Sequence, residues 1–292
     1  MYRLAYNTNG LAHHRVLDSL ELLAELGYEG VAITPDVGQM DPYRLSQREV
    51  AEVRVRAEEL GLELAIETGA RFVMDFRRKH CPSLLEEAQV ARARRVDFLK
   101  RCIDLGCELG AGVVSIWSGR APGGVVAEDA GDAAHAERER MWARLCTGLG
   151  EVLAFAAEAE IQIAFEPEPG MFIERPAGYG ELLERLGDAG DALGLCLDVG
   201  HLLVTGDLPV GAVIRAWAPR LVHVHLDDIR GGVHEHRPFG EGDLDLDEVL
   251  SALLEVGYEG MAAVELSRDS HRGAEAARRA IGALRRAATN ST

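Results

Sequence analysis

The stretches "ELGYEGVAI" (residues 25–33) and "EVGYEGMAAV" (residues 255–264) are near copies lying at opposite ends of a 292-residue chain. Each closes a run of helical apolar period and opens a short apolar run of strand type. Gly27 and Gly257 stand where the helix stops, the position just past the last turn that calls for positive φ. Both stretches are therefore helix-to-strand joints, and the same joint serves the first and the last unit. Between them the alternation continues. Strand-like runs at "RLAY" (3–6), "GVAIT" (30–34), "LELAIET" (62–68) and "GVVSIWS" (112–118) alternate with helical patterns at Val16–Leu26, residues 46–61, Leu84–Leu109 and His135–Ala159. "IQIAFEP" (161–167), "LGLCLDVG" (193–200), "LVHVHLDD" (221–228) and "MAAVELS" (261–267) follow, each ahead of a further helical pattern. Alternating βα units predict a parallel sheet. Eight of them predict a single (β/α)8 TIM barrel, an α/β fold occupying residues 1–292 as one domain. The loosest stretch, residues 119–138, follows the fourth strand on the side where such barrels place their sites. It reads as a lid or as a surface insertion.

Composition narrows the function. Hydrophobic residues make up 47% of the chain, enough for the large core a barrel needs. With 48 acidic against 31 basic residues the net charge is −17, a poor footprint for nucleic acid or for an anionic membrane surface. No apolar run approaches the roughly 20 residues of a membrane span. Met1 leads straight into "YRLAYN", without a basic and then apolar leader, so a cytoplasmic location is expected. The five cysteines (Cys81, Cys102, Cys107, Cys146, Cys196) are scattered without CxxC spacing and read as reduced thiols.

The chemistry gathers at strand ends. "IQIAFEPEPG" (161–170) begins as a buried strand and ends in Glu166 and Glu168. A carboxylate delivered there loses hydration unless a cation meets it. The sixth strand ends in Asp198, the seventh in His225 and the eighth in Glu265. Each has an ordinary reading taken alone: Glu166 as a solvated loop acid, Asp198 as a helix cap, His225 as a core histidine, Glu265 as the partner of Arg268. Four neighbouring strands each aiming one ligand-type residue at one rim point instead to a divalent metal. Three carboxylates and an imidazole suit Mn²⁺ or Mg²⁺, with Co²⁺ and Zn²⁺ also compatible. Glu67 and Trp117, ending strands three and four, and Arg230, after the "HLDD" turn, are candidate substrate contacts. Glu168 reads either as a partner to this group or as an exposed turn residue.

The set "FEPEPG" (165–170), "CLDVGH" (196–201), "HVHLDD" (223–228) with "GEGD" (240–243), and "VELSR" (264–268) resembles the xylose-isomerase-like TIM barrels. That superfamily holds sugar isomerases, sugar and sugar-phosphate epimerases, inosose dehydratases and apurinic endonucleases. The resemblance implies a Mn²⁺-type ion held by Glu166, Asp198, His225 and Glu265, with Glu166 and Glu265 also serving as acid and base. It implies an isomerase or epimerase of a small sugar, sugar phosphate or cyclitol, working by proton abstraction beside a metal-bound carbonyl through an enediolate. His201 would contact substrate oxygens, and related barrels are often homo-oligomers. A dehydratase of an inosose, or a lyase cleaving an oxidised glycoside, is the alternative, since both begin with the same proton abstraction. A non-catalytic metabolite-binding barrel is a third reading. His201, His234 and His236 occupy positions that hold an additional zinc in the endonucleases, so a second metal is a further expectation, with His236 preferred as a substrate contact. The endonuclease branch also needs histidines ending strands three and four. This chain offers "IETGA" (66–70) and "IWSG" (116–119) there, which speaks against a phosphodiesterase.

Overall fold

In this computed structural model, which describes residues 1–69, 71–122 and 132–290, the two matching joints fold alike. Helix α1 (Val16–Leu26) ends at Gly27, at φ +86°. The Gly27 N–H donates to the Ala24 carbonyl at 2.9 Å and the Tyr28 N–H to the Leu23 carbonyl at 3.0 Å. After α8 (Leu246–Glu255), Gly257 takes φ +67°, and Gly257 and Tyr258 donate to Leu254 and Leu253, each at 3.0 Å. In both places the turn satisfies carbonyls that the last helical turn leaves unpaired.

Eight parallel strands close into a barrel: β1 (Arg3–Asn7), β2 (Gly30–Ile33), β3 (Glu63–Glu67), β4 (Val113–Ile116), β5 (Gln162–Phe165), β6 (Leu193–Asp198), β7 (Leu221–Leu226) and β10 (Met261–Val264). A small antiparallel hairpin, β8 (Asp228–Arg230) and β9 (Val233–Arg237), rises after β7. The other helices are α2 (Gln47–Leu60), α3 (Gln89–Leu109), α4 (Asp132–Glu158), α5 (Pro176–Leu186), α6 (Val199–Thr205), α7 (Val210–Trp217) and α9 (Gly273–Asn290). The described residues thus hold nine α-helices rather than the expected eight. The extra one arises because α6 stops at Gly206, at φ +73°, and Pro209 caps the start of α7. Among the described residues no single helix is long and apolar enough to cross a membrane.

Two boundaries differ from expectation for packing reasons. The third long helix begins at Gln89, not Leu84. Leu84 is buried in the preceding turn against Gly148 of α4, where a Cβ would lie 2.9 Å from its Cδ2. Residues 132–138 of the expected lid are instead the opening turns of α4, and residues 123–131 of it lie outside the described residues.

Strand alternation sorts the core into two shells. Outward residues such as Ile33, Ile66, Ile116, Phe165, Leu197 and Val264 pack under the helices in one continuous apolar cluster. Inward positions are small: Ala5, Ala32, Ala65 and Ala263 form a separate buried layer with Met261, against which Val113 packs. The cross-section is narrow, and alanines leave room for larger side chains one layer higher.

Asp228 ties the loop above this layer to the barrel. Its Oδ1 accepts from the Ile229 and Leu244 N–H groups, both at 2.9 Å, and its Oδ2 from Gly240 at 2.9 Å and Gly242 at 2.8 Å. This is the structural content of the "GEGD" stretch. Charge-assisted bonds of this kind contribute about 1.5–3 kcal/mol each, though they share one carboxylate. Asp228→Ala should therefore lower stability by at least about 3 kcal/mol, read as a drop in urea midpoint with unchanged slope. A loss below about 0.5 kcal/mol would show that the loop does not depend on it.

Candidate active site

One inward step beyond the alanine layer the interior turns polar. Two residues after Ala5, Ala32, Ala65, Ala164, Cys196, His223 and Ala263 come Asn7, Thr34, Glu67, Glu166, Asp198, His225 and Glu265. Most of these face a cavity of about 370 Å³ that also includes Trp117, Glu168, His201, His234 and His236 in its walls. Glu166 and Glu265 lie one residue past their strands, yet each still extends the ladder. The Glu166 N–H donates to Ile116 O at 2.8 Å, and that of Glu265 to Leu226 O at 3.0 Å. Pairing of Asp198 with His225, and of Ala263 with His225, places the last members side by side.

The structure brings Glu166, Asp198, His225 and Glu265 together: one ligand atom from each lies within 4.8 Å of all the others. His225 Nδ1 is the hub, 3.1 Å from Glu166 Oε1, 3.1 Å from Glu265 Oε2 and 3.9 Å from Asp198 Oδ2. Asp198 does two things at once. Its Oδ1 caps α6 by accepting from the His201 N–H at 2.9 Å. Its Oδ2 is buried with no hydrogen-bond partner and points into the cluster. Glu265 is held by Asn9, whose Nδ2 donates to its Oε1 at 2.7 Å. Burial alone would push the His225 imidazolium down. Cys196, Glu67 and Glu166 outweigh that, so its pKa stands well above the ordinary histidine value. An orphaned buried carboxylate oxygen and three acids converging on one imidazole nitrogen are what a cation-binding shell offers. The donor set fits a hard divalent ion.

Glu67 lines the cavity, where it also meets two imidazoles. Its Oε1 lies 2.9 Å from His223 Nε2 and 3.0 Å from His225 Nε2. Burial raises its pKa and the two imidazoles outweigh that, lowering it to about 2. A carboxylate on Nε2 makes that nitrogen the donor and leaves Nδ1 of His225 free for the cluster, the usual arrangement behind a metal-binding histidine. Trp117 serves as both wall and packing. It lines the cavity, while the buried Arg95 guanidinium lies 4.6 Å over its ring and His80 meets it edge-on at 5.3 Å. Arg230 does not join the group. It is exposed at the tip of the hairpin, outside the cavity lining, because β8 carries it up and away from the barrel mouth. Arg268 donates to the His234 carbonyl at 3.1 Å, and among the described residues no ion pair joins it to Glu265.

The three further histidines also meet. His201 Nε2 and His234 Nε2 are 3.0 Å apart, as are His234 Nε2 and His236 Nε2, and the three form a second potential ligand group. His201 Nδ1 lies 3.1 Å from the Pro167 carbonyl. His236 Nδ1 lies 2.7 Å from Asp227 Oδ2, and its backbone takes φ +49°, a conformation that non-glycine residues seldom adopt and that recurs at functional sites. Glu168 faces the cavity. Loss of solvent, then the charges of Glu166 and Glu265, push its pKa up to about 8.

Asn9 and Asp227 escaped the sequence reading. Asn9 sits in the turn after β1, in "NTN" (7–9), and the polar end of the first strand was the available signal. Asp227 is packed so tightly under α6 that a Cβ on Gly200 would stand 2.0 Å from its Oδ1. Its neighbour Asp228 carries the same "DD" signature for a purely structural task.

A family model described as "Xylose isomerase-like TIM barrel" matches residues 20–287. Among curated proteins, an inosose dehydratase of Clostridium botulinum is 26% identical over 155 residues, covering 47% of this chain and 51% of that protein. One from Bacillus thuringiensis is 29% identical over 148 residues, 45% of this chain and 49% of its own length. The chain thus spans about half the length of the curated relatives it matches. Among solved structures, D-allulose 3-epimerase from Methylomonas sp. in complex with D-allulose superposes with a TM-score of 0.75 at 16% identity, over 98% of this chain and 96% of that one. A 3-keto-D-glucoside 4-epimerase from E. coli gives 0.76 at 16% identity, over 98% and 99%. At such identities the structural likeness is one of fold.

Proposed function

This chain belongs to the xylose isomerase-like TIM barrel family, and from that premise we propose that it is a divalent-metal-dependent isomerase or epimerase of a small sugar, sugar phosphate or cyclitol. The observation carrying this reading is the convergence of Glu166, Asp198, His225 and Glu265 within 4.8 Å, with Asp198 Oδ2 buried and unpartnered among them. Those four would hold the ion, Mn²⁺ by preference, with Mg²⁺, Co²⁺ or Zn²⁺ compatible with the same donors. When bound, such an ion stabilises the negative charge that develops on a substrate carbonyl oxygen as the adjacent carbon loses its proton.

The side chains do the rest. Glu166 enters from β5 and Glu265 from β10, and both reach the cavity. Glu166 has Oε1 on the His225 side and its second oxygen open to a proton at carbon. Glu265 has Oε2 on the His225 side, and its Oε1 accepts from Asn9 with one lone pair, leaving the other for a proton at carbon. A carbon held between them can lose its proton to one carboxylate and regain one from the other on the opposite face, which inverts it. Asn9 fixes Glu265 by its Oε1 contact, and His201, anchored on the Pro167 carbonyl, turns Nε2 into the cavity to meet substrate hydroxyls. Burial of the cluster excludes water that would compete for the proton.

Dehydration is the second reading, favoured by the inosose dehydratases among the relatives. It shares the proton abstraction and differs in what leaves next. The test is to incubate the protein with Mn²⁺ and a panel of ketoses, inososes and their phosphates in D₂O, and to follow deuterium and products by NMR. Exchange with an inverted product is the expected result. Exchange with loss of water would select the dehydratase, and no exchange with any member would contradict proton abstraction at this site.

A further inference from the structure

The cavity is divided by charge. Its floor carries Glu67, Glu166 and Glu265 with their imidazoles, whereas its rim carries Arg71, Lys79, Arg120 and Arg268. Four cations on one rim are unexpected in a chain of net charge −17, and their partners make them more so. Many arginines elsewhere sit on acids, such as Arg185 on Glu139 and Glu181, Arg215 on Glu255, and Arg56 on Glu21 and Glu59. Of the chain's two lysines, Lys100 lies 2.8 Å from Glu151. Lys79 has no ion pair among the described residues, and neither has Arg120.

Arg268 spends one N–H on the His234 carbonyl at 3.1 Å, and Arg71 stands 3.6 Å from Asp36 with a 3.4 Å contact to the Asn9 carbonyl. The rim groups also feel one another. The Lys79 ammonium is held below the usual lysine value first by loss of solvent, then by Arg71, with Arg120 and Arg268 adding to it; Glu168 is the acid that opposes them. Like charges that outnumber the acids beside them among the described residues, here Asp36 and Glu168 against four cations, are stabilised when an anion arrives. A protein whose net charge repels anions everywhere else also admits one most readily at such a mouth.

We propose that the substrate carries an oxyanion, a phosphate or a carboxylate, at the end remote from the Glu166–Asp198–His225–Glu265 cluster, and that Lys79 and Arg120, with Arg71 and Arg268, bind it. This rests on the reading of the cavity as a sugar or cyclitol site and narrows it to acidic substrates. The hydroxyl-rich end faces the carboxylate and imidazole floor, and the anionic end faces the rim. The arrangement orients an extended substrate in one direction only, because reversal would set its anion against the floor carboxylates Glu67, Glu166 and Glu265.

Calorimetric titration of the Mn²⁺-supplemented full chain with D-fructose, its 6-phosphate, its 6-carboxylate and inorganic phosphate tests this. At least one charged sugar should bind at least about 10-fold more tightly than D-fructose, and the order of the two identifies the oxyanion. Lys79→Met with Arg120→Met should reduce that ratio at least about 10-fold, whereas Lys79→Arg and the remote Lys100→Met should keep it. Equal affinities in the native chain, or a ratio unchanged in the double variant, would overturn the proposal. If none of the sugars binds, inorganic phosphate decides. Binding lost in the double variant supports the rim site, and no binding overturns it. Loss of deuterium exchange with the charge preference intact would instead count against the isomerase reading alone.

Discussion

Replacing Glu265 by Gln should lower the rate of substrate deuterium exchange by about 10²–10⁴-fold, the usual worth of a positioned acid–base group. Gln keeps the shape and can still accept from Asn9 Nδ2, which now lies 2.7 Å from Oε1. What it loses is the ability to take a proton from carbon. Because Glu265 Oε2 is also 3.1 Å from His225 Nδ1, some loss of metal is expected alongside, so exchange is to be measured at saturating Mn²⁺. A further decrease that Mn²⁺ does not restore marks the proton-transfer role. Exchange at the native rate would remove Glu265 from the chemistry and leave it as a wall of the cavity.

Asp198→Asn separates capping from ligation. Asn caps a helix about as well as Asp, so the bond from the His201 N–H to Oδ1 survives and the fold should lose little. The second oxygen, buried and unpartnered, becomes an amide with no charge to offer. Mn²⁺ affinity should therefore fall by more than the 10–100-fold that loss of an outer-shell partner costs. The thermal stabilisation by Mn²⁺ should vanish with it. In the native chain, Mn²⁺ at 100 times its dissociation constant should add about 2.7 kcal/mol.

A pH signature accompanies this. The metal-free His225 holds its proton above the ordinary histidine value, chiefly against burial and because of Cys196, Glu67 and Glu166. Binding must displace that proton, so affinity should rise with pH through neutrality and weaken as pH falls. Unchanged metal content in Asp198→Asn would reduce Asp198 to a helix cap.

The barrel was legible because its signal is local. Gly27 and Gly257 mark their joints by a backbone conformation that neighbouring residues do not require, and strand alternation alone predicts which residues face inward. The four strand-end residues were legible for the same reason: Glu166, Asp198, His225 and Glu265 each continue the inward parity of a small or polar residue two positions earlier. What the sequence did not disclose is who meets whom across the barrel. Glu67 and His225 touch although 158 residues apart, so the contact of Glu67 with two imidazoles could not be read from the end of its own strand. Arg230 looked close to the site because it follows "HLDD", but the Asp228 loop lifts it out on a hairpin. Lys79 and Arg71 lie on a turn-rich stretch whose direction no periodicity predicts, and only folding sets them over the cavity.

The proposed function requires one divalent ion shared by four side chains at the lip of the barrel. Crystals grown with Mn²⁺ and measured for anomalous scattering test it most directly. A single strong peak within bonding distance of Glu166, Asp198, His225 and Glu265 is the predicted result. No peak at that position, or a peak only among His201, His234 and His236, would contradict it.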